Sequence, residues 1–323
     1  MRIAICYSAQ RDTPDTDLSE VVAALVAAIS HAGHTAIAVA LTMDLKQFWL
    51  DWHAAQPDIV WNLCEEACGM PERELHAAAL LQLLGKPVVG SSPVTVALCS
   101  DKSLCRLILH GWGVRVPFAV RIDDPAAVPP MLPLPAIVKP AQQDGSVGVD
   151  SASVCRTRPQ VLAALERLHK VHLLPALVEQ YIDGREINIL LVGKAGVPPE
   201  KIAFGEIDLS GVTKGRPKIL TYAGKWDPAS PEFQQTPAHY PATLDLDLQA
   251  QLHQIAGLAA RGLGLSGYAR LDVRVDERGD AWAIDVNPSP DLSPGAGVQR
   301  ALPTIGLSFE AFVALQLQWA AAA

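Results

Sequence analysis

Short apolar runs alternate with helix-length segments over the first 90 residues, and no other feature of the chain restricts its fold as much. Residues 2–7 (RIAICY) form an apolar run of strand length, as a strand buried in a sheet requires. A polar turn over residues 8–16 leads to a helix from about 18 to 31 that stops at Gly33. Residues 35–41 (TAIAVAL) and 58–63 (DIVWNL) read as a second and a third strand, followed by helical patterning over 72–84 and the stretch PVVG at 87–90. This β-α-β order implies a small parallel sheet with helices on both faces. A dinucleotide-binding sheet would carry GxGxxG after its first strand. Ser8-Ala9-Gln10-Arg11 has no glycine, so a nicotinamide reading loses its main support.

A second unit begins near Ser91-Ser92-Pro93. Pro125, Pro129, Pro130, Pro133 and Pro135 separate a helix over 101–110 from a strand over 136–139. A helix over 158–170 and a strand over 176–181 complete that unit. The third unit opens with a strand over 187–192, passes through an irregular stretch over 210–240, and continues with a helix over 247–263. Strands over 268–275 and 281–286 follow, joined by the turn Asp276-Glu277-Arg278-Gly279. The expected division is 1–92, 93–184 and 185–323, with no internal repeat.

Of the 323 residues, 50% are hydrophobic and 19% charged, enough apolar surface for a sizeable core. The net charge is -8 with no Lys/Arg-rich run, which argues against a nucleic-acid groove or an anionic membrane as partner. The apolar run over 21–29 is too short to span a bilayer and follows Asp15, Asp17 and Glu20 rather than basic residues, so a cytoplasmic location is expected. The six cysteines, at 6, 64, 68, 99, 105 and 155, lie mostly in apolar segments and read as reduced, buried thiols. Cys64 and Cys68 have metal-like spacing but no second Cys/His pair nearby, so core packing is the expected role.

Three constellations carry chemistry. In residues 268–276 (YARLDVRVD), alternation places Arg270, Asp272 and Arg274 on one face; on the partner strand Asp285 and Asn287 share a face. Charges inside apolar strands must be paired or metal-bound. Two carboxylates and an amide carbonyl are hard oxygen donors suited to Mg²⁺ with phosphate oxygens; the other reading is a salt-bridge ladder among Arg270, Asp272 and Asp285. In IVKPAQQDGSVG (137–148) a lysine ends a strand before a loop with Gly145, Ser146 and Gly148. Small residues let backbone N–H groups approach phosphate, although a simple turn fits as well. In LVEQYIDGRE (177–186) a strand runs into Asp183-Gly184 as an interlobe hinge. Hinge backbone can bond an adenine edge and a following acid the ribose; taken singly, Glu179 and Glu186 read as ordinary surface carboxylates.

In this order and spacing the three constellations resemble the ATP-grasp superfamily, and within it the D-alanine–D-alanine ligase branch. LGKPVVGS (84–91), Asp101-Lys102, GVRVP (113–117) and GLSF (306–309) are similar to that branch too. The resemblance implies an α/β, three-lobed fold with an N-terminal Rossmann-like lobe and two lobes clamping ATP. It also implies that Lys102 and Lys139 hold the ATP phosphates and that Ser146 with its glycines forms a lid. Glu179, Gln180, Ile182 and Ile284 would then bind the base, and Glu186 the ribose. Lys225 would reach the phosphates, Asp272, Asp285 and Asn287 would hold Mg²⁺ (with Mn²⁺ as an alternative), and Arg270 would stabilise an anionic intermediate. The implied partners are small-molecule or peptide carboxylates and amines, and relatives suggest a homodimer.

The substrate side departs from the family. No acidic residue in 8–15 matches the glutamate that holds the first alanine, and Gly145 and Trp226 stand where a serine and a tyrosine work with it. Glu65-Glu66 replaces a His-Gly pair, Asp291 and Ala296 replace a glycine and a serine, and Asp285 stands for a glutamate. These departures point to an ATP-dependent carboxylate–amine ligase with a substrate other than D-alanine. A genuine D-alanine–D-alanine ligase and a non-catalytic ATP-binding protein are the alternatives. Glu65, Glu66 and Asp291 are candidates to hold an amine-bearing substrate, against a reading as solvated loop carboxylates.

Overall fold

In a computed structural model, which describes residues 1–9, 16–67 and 70–322, the chain builds three separate sheets. The first comprises β1 (Arg2–Ser8), α1 (Thr16–His31), β2 (Thr35–Leu41), α2 (Leu45–Ala55), β3 (Ile59–Leu63), α3 (Glu74–Leu83) and β4 (Val88–Val89). Its strands are parallel in the order β2-β1-β3-β4. Alternation along β1 sorts its residues: Ile3 and Ile5 join a core with Leu25 and Ile29 of α1, while Ala4 and Cys6 face Phe48, Trp52 and Leu81 of α2 and α3. The expected parallel sheet with helices on both faces is present. α2 was not among the expected elements; Asp44 caps it by accepting from the Gln47 N–H. Most of the polar turn after β1 and Cys68 lie outside the described residues; Cys64 is buried in the core.

Helices α4 (Pro93–Ser100) and α5 (Lys102–Gly111) lead to the second sheet, which consists of β5 (Ala119–Ile122), β6 (Ala136–Pro140), β7 (Val154–Cys155) and β8 (Ala176–Gln180) with α6 (Arg158–Lys170) on one side. Its order is β5-β8-β6-β7, antiparallel throughout. The third sheet contains β9 (Arg185–Gly193), β10 (Lys201–Ile207), the short helices α7 (Tyr222–Trp226) and α8 (Pro231–Gln235), β11 (Ala238–His239), α9 (Leu246–Leu263), β12 (Gly267–Val275) and β13 (Ala281–Asn287), in the order β11-β10-β9-β12-β13. The chain closes with α10 (Gly297–Ala301) and α11 (Phe309–Ala321).

One face of the third sheet is apolar throughout: Ile187, Ile189, Leu191, Leu271 and Val273 pack on α9, and Cys99, Cys105 and Leu109 of α4 and α5 join the same core. Thus residues 93–111, read with the second unit from sequence, pack on the third sheet. The other face is divided along its length. At one end Leu190, Val192 and Tyr268 share a core with the first sheet and α11; at the other, Glu186, Asn188, Arg270, Asp272 and Arg274 border a cleft. That division places the cleft between the sheets. The five cysteines described (6, 64, 99, 105 and 155) are free and buried, and no described helix is long and apolar enough to cross a membrane.

Candidate active site

The cleft, of roughly 960 Å³, is floored by β12 and β13. Asp272 lies directly opposite Asp285 and Arg270 opposite Asn287. The guanidinium of Arg270 closes on both oxygens of Asp272, Nε donating at 2.8 Å and Nη2 at 3.0 Å. Asn188 of β9 donates to the same carboxylate at 2.8 Å. A bulge follows, since Val273 pairs with Ala283 and leaves Ile284 without a register partner. Bulges free a backbone group from the ladder, and here the Ile284 carbonyl accepts from Lys139 Nζ at 3.2 Å.

Lysines enter from two other elements. Lys102 opens α5, whose N-cap Asp101 accepts from the N–H groups of Ser103 and Leu104. Its ammonium is 2.7 Å from Asp144 of the glycine loop and 2.9 Å from Asp285. Burial alone would depress the Lys102 pKa, but Asp285 and Asp144 outweigh it and raise it above the ordinary lysine value. Burial would likewise raise Asp285, and Lys102 and Lys139 instead hold it low. The ladder considered from sequence is therefore split: Arg270 pairs with Asp272, and Asp285 pairs with Lys102. Lys139 pairs with Glu179 at 2.8 Å.

Glu179 and Glu186 are 3% and 8% exposed, so the reading of either as a surface carboxylate is corrected. Apolar β8 carries Glu179 inward, and β12 supplies Arg274 beside Glu186. Burial raises the Glu186 pKa, opposed by Arg274. Gln180 and Ile182 line the same hinge region of the cleft.

The glycine loop reaches over the opening. Gly145, Ser146 and Gly148 all adopt positive φ, at 63°, 62° and 74°. Three hydrogen bonds tie this loop to the segment around α7. Ser146 Oγ donates to the Leu220 carbonyl at 3.2 Å, Trp226 Nε1 to the Gly145 carbonyl at 2.7 Å, and the Tyr222 N–H to the Val149 carbonyl at 3.1 Å. Lys225 lies 5.0 Å over the Trp226 ring; burial, followed by the Arg270 charge, lowers its pKa. The irregular stretch expected over 210–240 thus contains two short helices, one of which presents Lys225.

Two further carboxylates border the cleft. Glu65, after β3, and Asp291, after β13, line the cleft, whereas Glu66 does not. Glu65 is exposed to the open cleft, yet the protein crowded around its carboxyl, then Asp291 and Asp144, push it up to about 7. Asp291 accepts from the Ser293 N–H at 2.7 Å and hydroxyl at 2.5 Å. Beneath the loop that carries Asp291, buried Glu74 accepts from Ser289 Oγ at 3.3 Å.

Every residue singled out from sequence for nucleotide, metal or catalysis borders this one cleft: Lys102, Lys139, Ser146, Glu179, Gln180, Ile182, Glu186, Lys225, Arg270, Asp272, Ile284, Asp285 and Asn287. Asn188 and Asp144 were not singled out. An amide inside the apolar run over 187–192 was a readable signal for Asn188, because a buried amide needs a partner. Nothing local distinguished Asp144. Among the described residues no group of three His, Cys, Asp or Glu side chains could hold a metal. The expected donor set instead combines two carboxylates with the Asn287 amide. These are hard oxygens of the type magnesium takes; here Arg270 donates to Asp272, Lys102 to Asp285 and the Ser289 N–H to Asn287 Oδ1.

The family described as D-ala D-ala ligase C-terminus matches residues 121–318. The D-alanine–D-alanine ligase of Gloeobacter violaceus is 28% identical over 323 residues, covering 97% of each chain. An uncharacterised protein of Sinorhizobium fredii is 29% identical, covering 90% of this chain and 84% of its own. Among solved structures, the D-alanine–D-alanine ligase of Bacillus anthracis complexed with ATP superposes with a TM-score of 0.76 at 17% identity, covering 99% of this chain and 97% of that one. The D-Ala:D-Ser ligase of Enterococcus faecalis gives 0.74 at 18% identity, covering 99% of this chain and 100% of the other. With the family match running from β5 to α11, through all three glycine, hinge and hairpin constellations, this chain belongs to the D-alanine–D-alanine ligase family and is an ATP-grasp ligase, an enzyme that forms carbon–nitrogen bonds.

Proposed function

We propose that this ligase uses ATP to join the carboxyl group of one amino acid to the amino group of a second, with D-alanine as the first substrate to test. The observation that supports it best is the convergence, in one cleft, of lysines, Arg270, a hard-oxygen donor set and the acids Glu65 and Asp291. The names of the relatives turn the substrate toward D-alanine, away from the expectation drawn from the sequence departures. A different amine substrate remains a second reading, favoured by the carboxylate pair Glu65 and Asp291.

A substrate carboxylate attacks the γ-phosphorus of ATP, forming an acyl phosphate as the bond to ADP breaks. Positioning and charge neutralisation are the main requirements of such a transfer, and Lys102, Lys139 and Lys225 are the groups to supply them. Asp272, Asp285 and Asn287 would hold Mg²⁺, which when bound neutralises phosphate charge. The second amine then attacks the acyl carbon, a proton is lost, and phosphate leaves as the tetrahedral oxyanion collapses. Arg270, held by Asp272 through Nε and one Nη2 hydrogen, would offer its remaining Nη donors to that oxyanion. The loop carrying Ser146 excludes water from the acyl phosphate.

The test is phosphate release from ATP with D-alanine, and with a panel of other D- and L-amino acids, followed by mass spectrometry of the products. A D-alanyl-D-alanine product supports the proposal. A condensed product only with another amine selects the second reading. ATP turnover with no condensed product from any member sinks amino-acid ligation.

A further inference from the structure

β12 turns three charged side chains toward the cleft, and the chemistry above uses two of them. The third, Arg274, is 4% exposed, so its guanidinium has to find its partners inside the protein. It finds them on three stretches of chain. Nη1 is 3.4 Å from Glu186 Oε2 at the start of β9 and donates to the Gly184 carbonyl of the hinge at 3.2 Å. Nη2 donates to the Lys218 carbonyl, in the segment that leads to Lys225. The Tyr181 ring lies 5.8 Å from the guanidinium, and its hydroxyl donates to the same Lys218 carbonyl at 3.2 Å.

The hinge is also pressed onto this strand directly. Gly184 has φ +141°, and a Cβ there would overlap the Val275 carbonyl. Glycine therefore lets the hinge backbone come close enough to β12 for Arg274 to bond it. A lysine has three donors on a single nitrogen and lacks the planar fork that spreads them across two carbonyls and a carboxylate.

We infer that Arg274 is a positioning residue of the nucleotide site: it holds the Glu186 carboxylate, the hinge over Tyr181 to Gly184 and the Lys218 carbonyl in the arrangement that receives the base and sugar of ATP. The inference rests on the proposed nucleotide roles of the hinge and Glu186. Arg274 itself touches neither phosphate nor amino acid in this scheme, so its loss should register on ATP alone. R274M strips Glu186 of its buried partner and is expected to lower the unfolding temperature in either case; a structural strut is told apart because it would lose ATP affinity, amino-acid affinity and kcat together.

The experiment compares the wild-type chain with R274M, R274K and E186Q by calorimetric titration of ATP, steady-state kinetics and thermal unfolding. R274M is expected to weaken ATP binding and raise its KM at least tenfold. The KM for the amino acids and kcat at saturating ATP should stay within threefold, and R274K should recover part of the loss. R274M combined with E186Q should be no worse than the poorer single variant, since both act through one carboxylate. If R274M binds ATP as the wild type does, the inference falls alone. An equal loss in ATP affinity, amino-acid affinity and kcat, together with a lower unfolding temperature in R274M and R274K alike, would make Arg274 a strut and overturn it. Wild-type protein that binds no ATP would overturn the nucleotide assignment and this inference with it.

Discussion

Arg270 and Asp272 sit two residues apart on β12, and strand alternation alone puts them on one face. Residue types and spacing leave a metal site and a salt-bridge ladder both open, and the Arg270–Asp272 part of the ladder forms, with both carboxylate oxygens accepting from one guanidinium. Arg270→Ala should lower kcat by about 10²–10³-fold, the range for losing one oxyanion donor, while ATP affinity changes less than threefold. Stopped-flow or steady-state rates beside ATP titration check this, and undiminished turnover would remove Arg270 from the oxyanion role. Glu65 makes a pH prediction. Its carboxyl is pushed up to about 7, so the charged form that can hold an ammonium appears only as the pH climbs through that value. The KM for the amine substrate should therefore fall between pH 6 and 8 in the wild type. Glu65→Gln should flatten that profile and raise the KM by about tenfold, the scale of one hydrogen bond to a charged group. An unchanged profile would place the ammonium elsewhere. The raised Glu65 pKa could not be read from sequence, because Asp291 and Asp144 lie more than 75 residues away along the chain.

Elements were legible where a hydrophobic period was long and its ends were marked. The helix expected over 158–170 is α6 itself, opened by Thr157 with Pro159 in its first turn. The hairpin turn after β12 forms as expected, with the Gly279 N–H donating to the Asp276 carbonyl at 3.0 Å. Short edge strands such as β5, β7 and β11 are not legible in sequence because runs of two to four residues carry no period. The segment around α7 was read as irregular, and its organisation comes from outside itself, through its bonds to the glycine loop. Trp226→Phe keeps an aromatic ring near Lys225 and removes the N–H that bonds the Gly145 carbonyl, along with part of the ring area. Losing one hydrogen bond of about 1 kcal/mol should open the lid several-fold more often. Phosphate released per product formed should then rise above the wild-type ratio, as water reaches the acyl phosphate. An unaltered ratio would show that this bond does not hold the lid closed.

At the scale of the molecule, the C-terminal helix returns to the first sheet. Phe312 of α11 is fully buried, its ring centroid 6.3 Å from that of Trp61 in β3 and 5.4 Å from that of Tyr268 in β12. One ring thus joins the first sheet, the third sheet and the last helix. Phe312→Ala should cost about 3–5 kcal/mol, read as a shifted midpoint in denaturant unfolding. A loss under 1 kcal/mol would mean that the two sheets do not depend on this joint. The β-α-β order, the charged hairpin, the glycine loop and the hinge were each decided by local sequence. Periodicity, turn residues and charges in apolar strands act between near neighbours, and side-chain alternation follows from backbone geometry. Tertiary structure alone decided which charge meets which. Lys102 took Asp285 and Asp144 as partners, Arg274 took the hinge and Glu186, and Glu65 came to face Asp291. Those pairings depend on how three sheets stack around one cleft. Burial there strips water from Lys102, Glu186 and Arg274, so distance across the fold, not separation along the chain, sets the strength of their interactions.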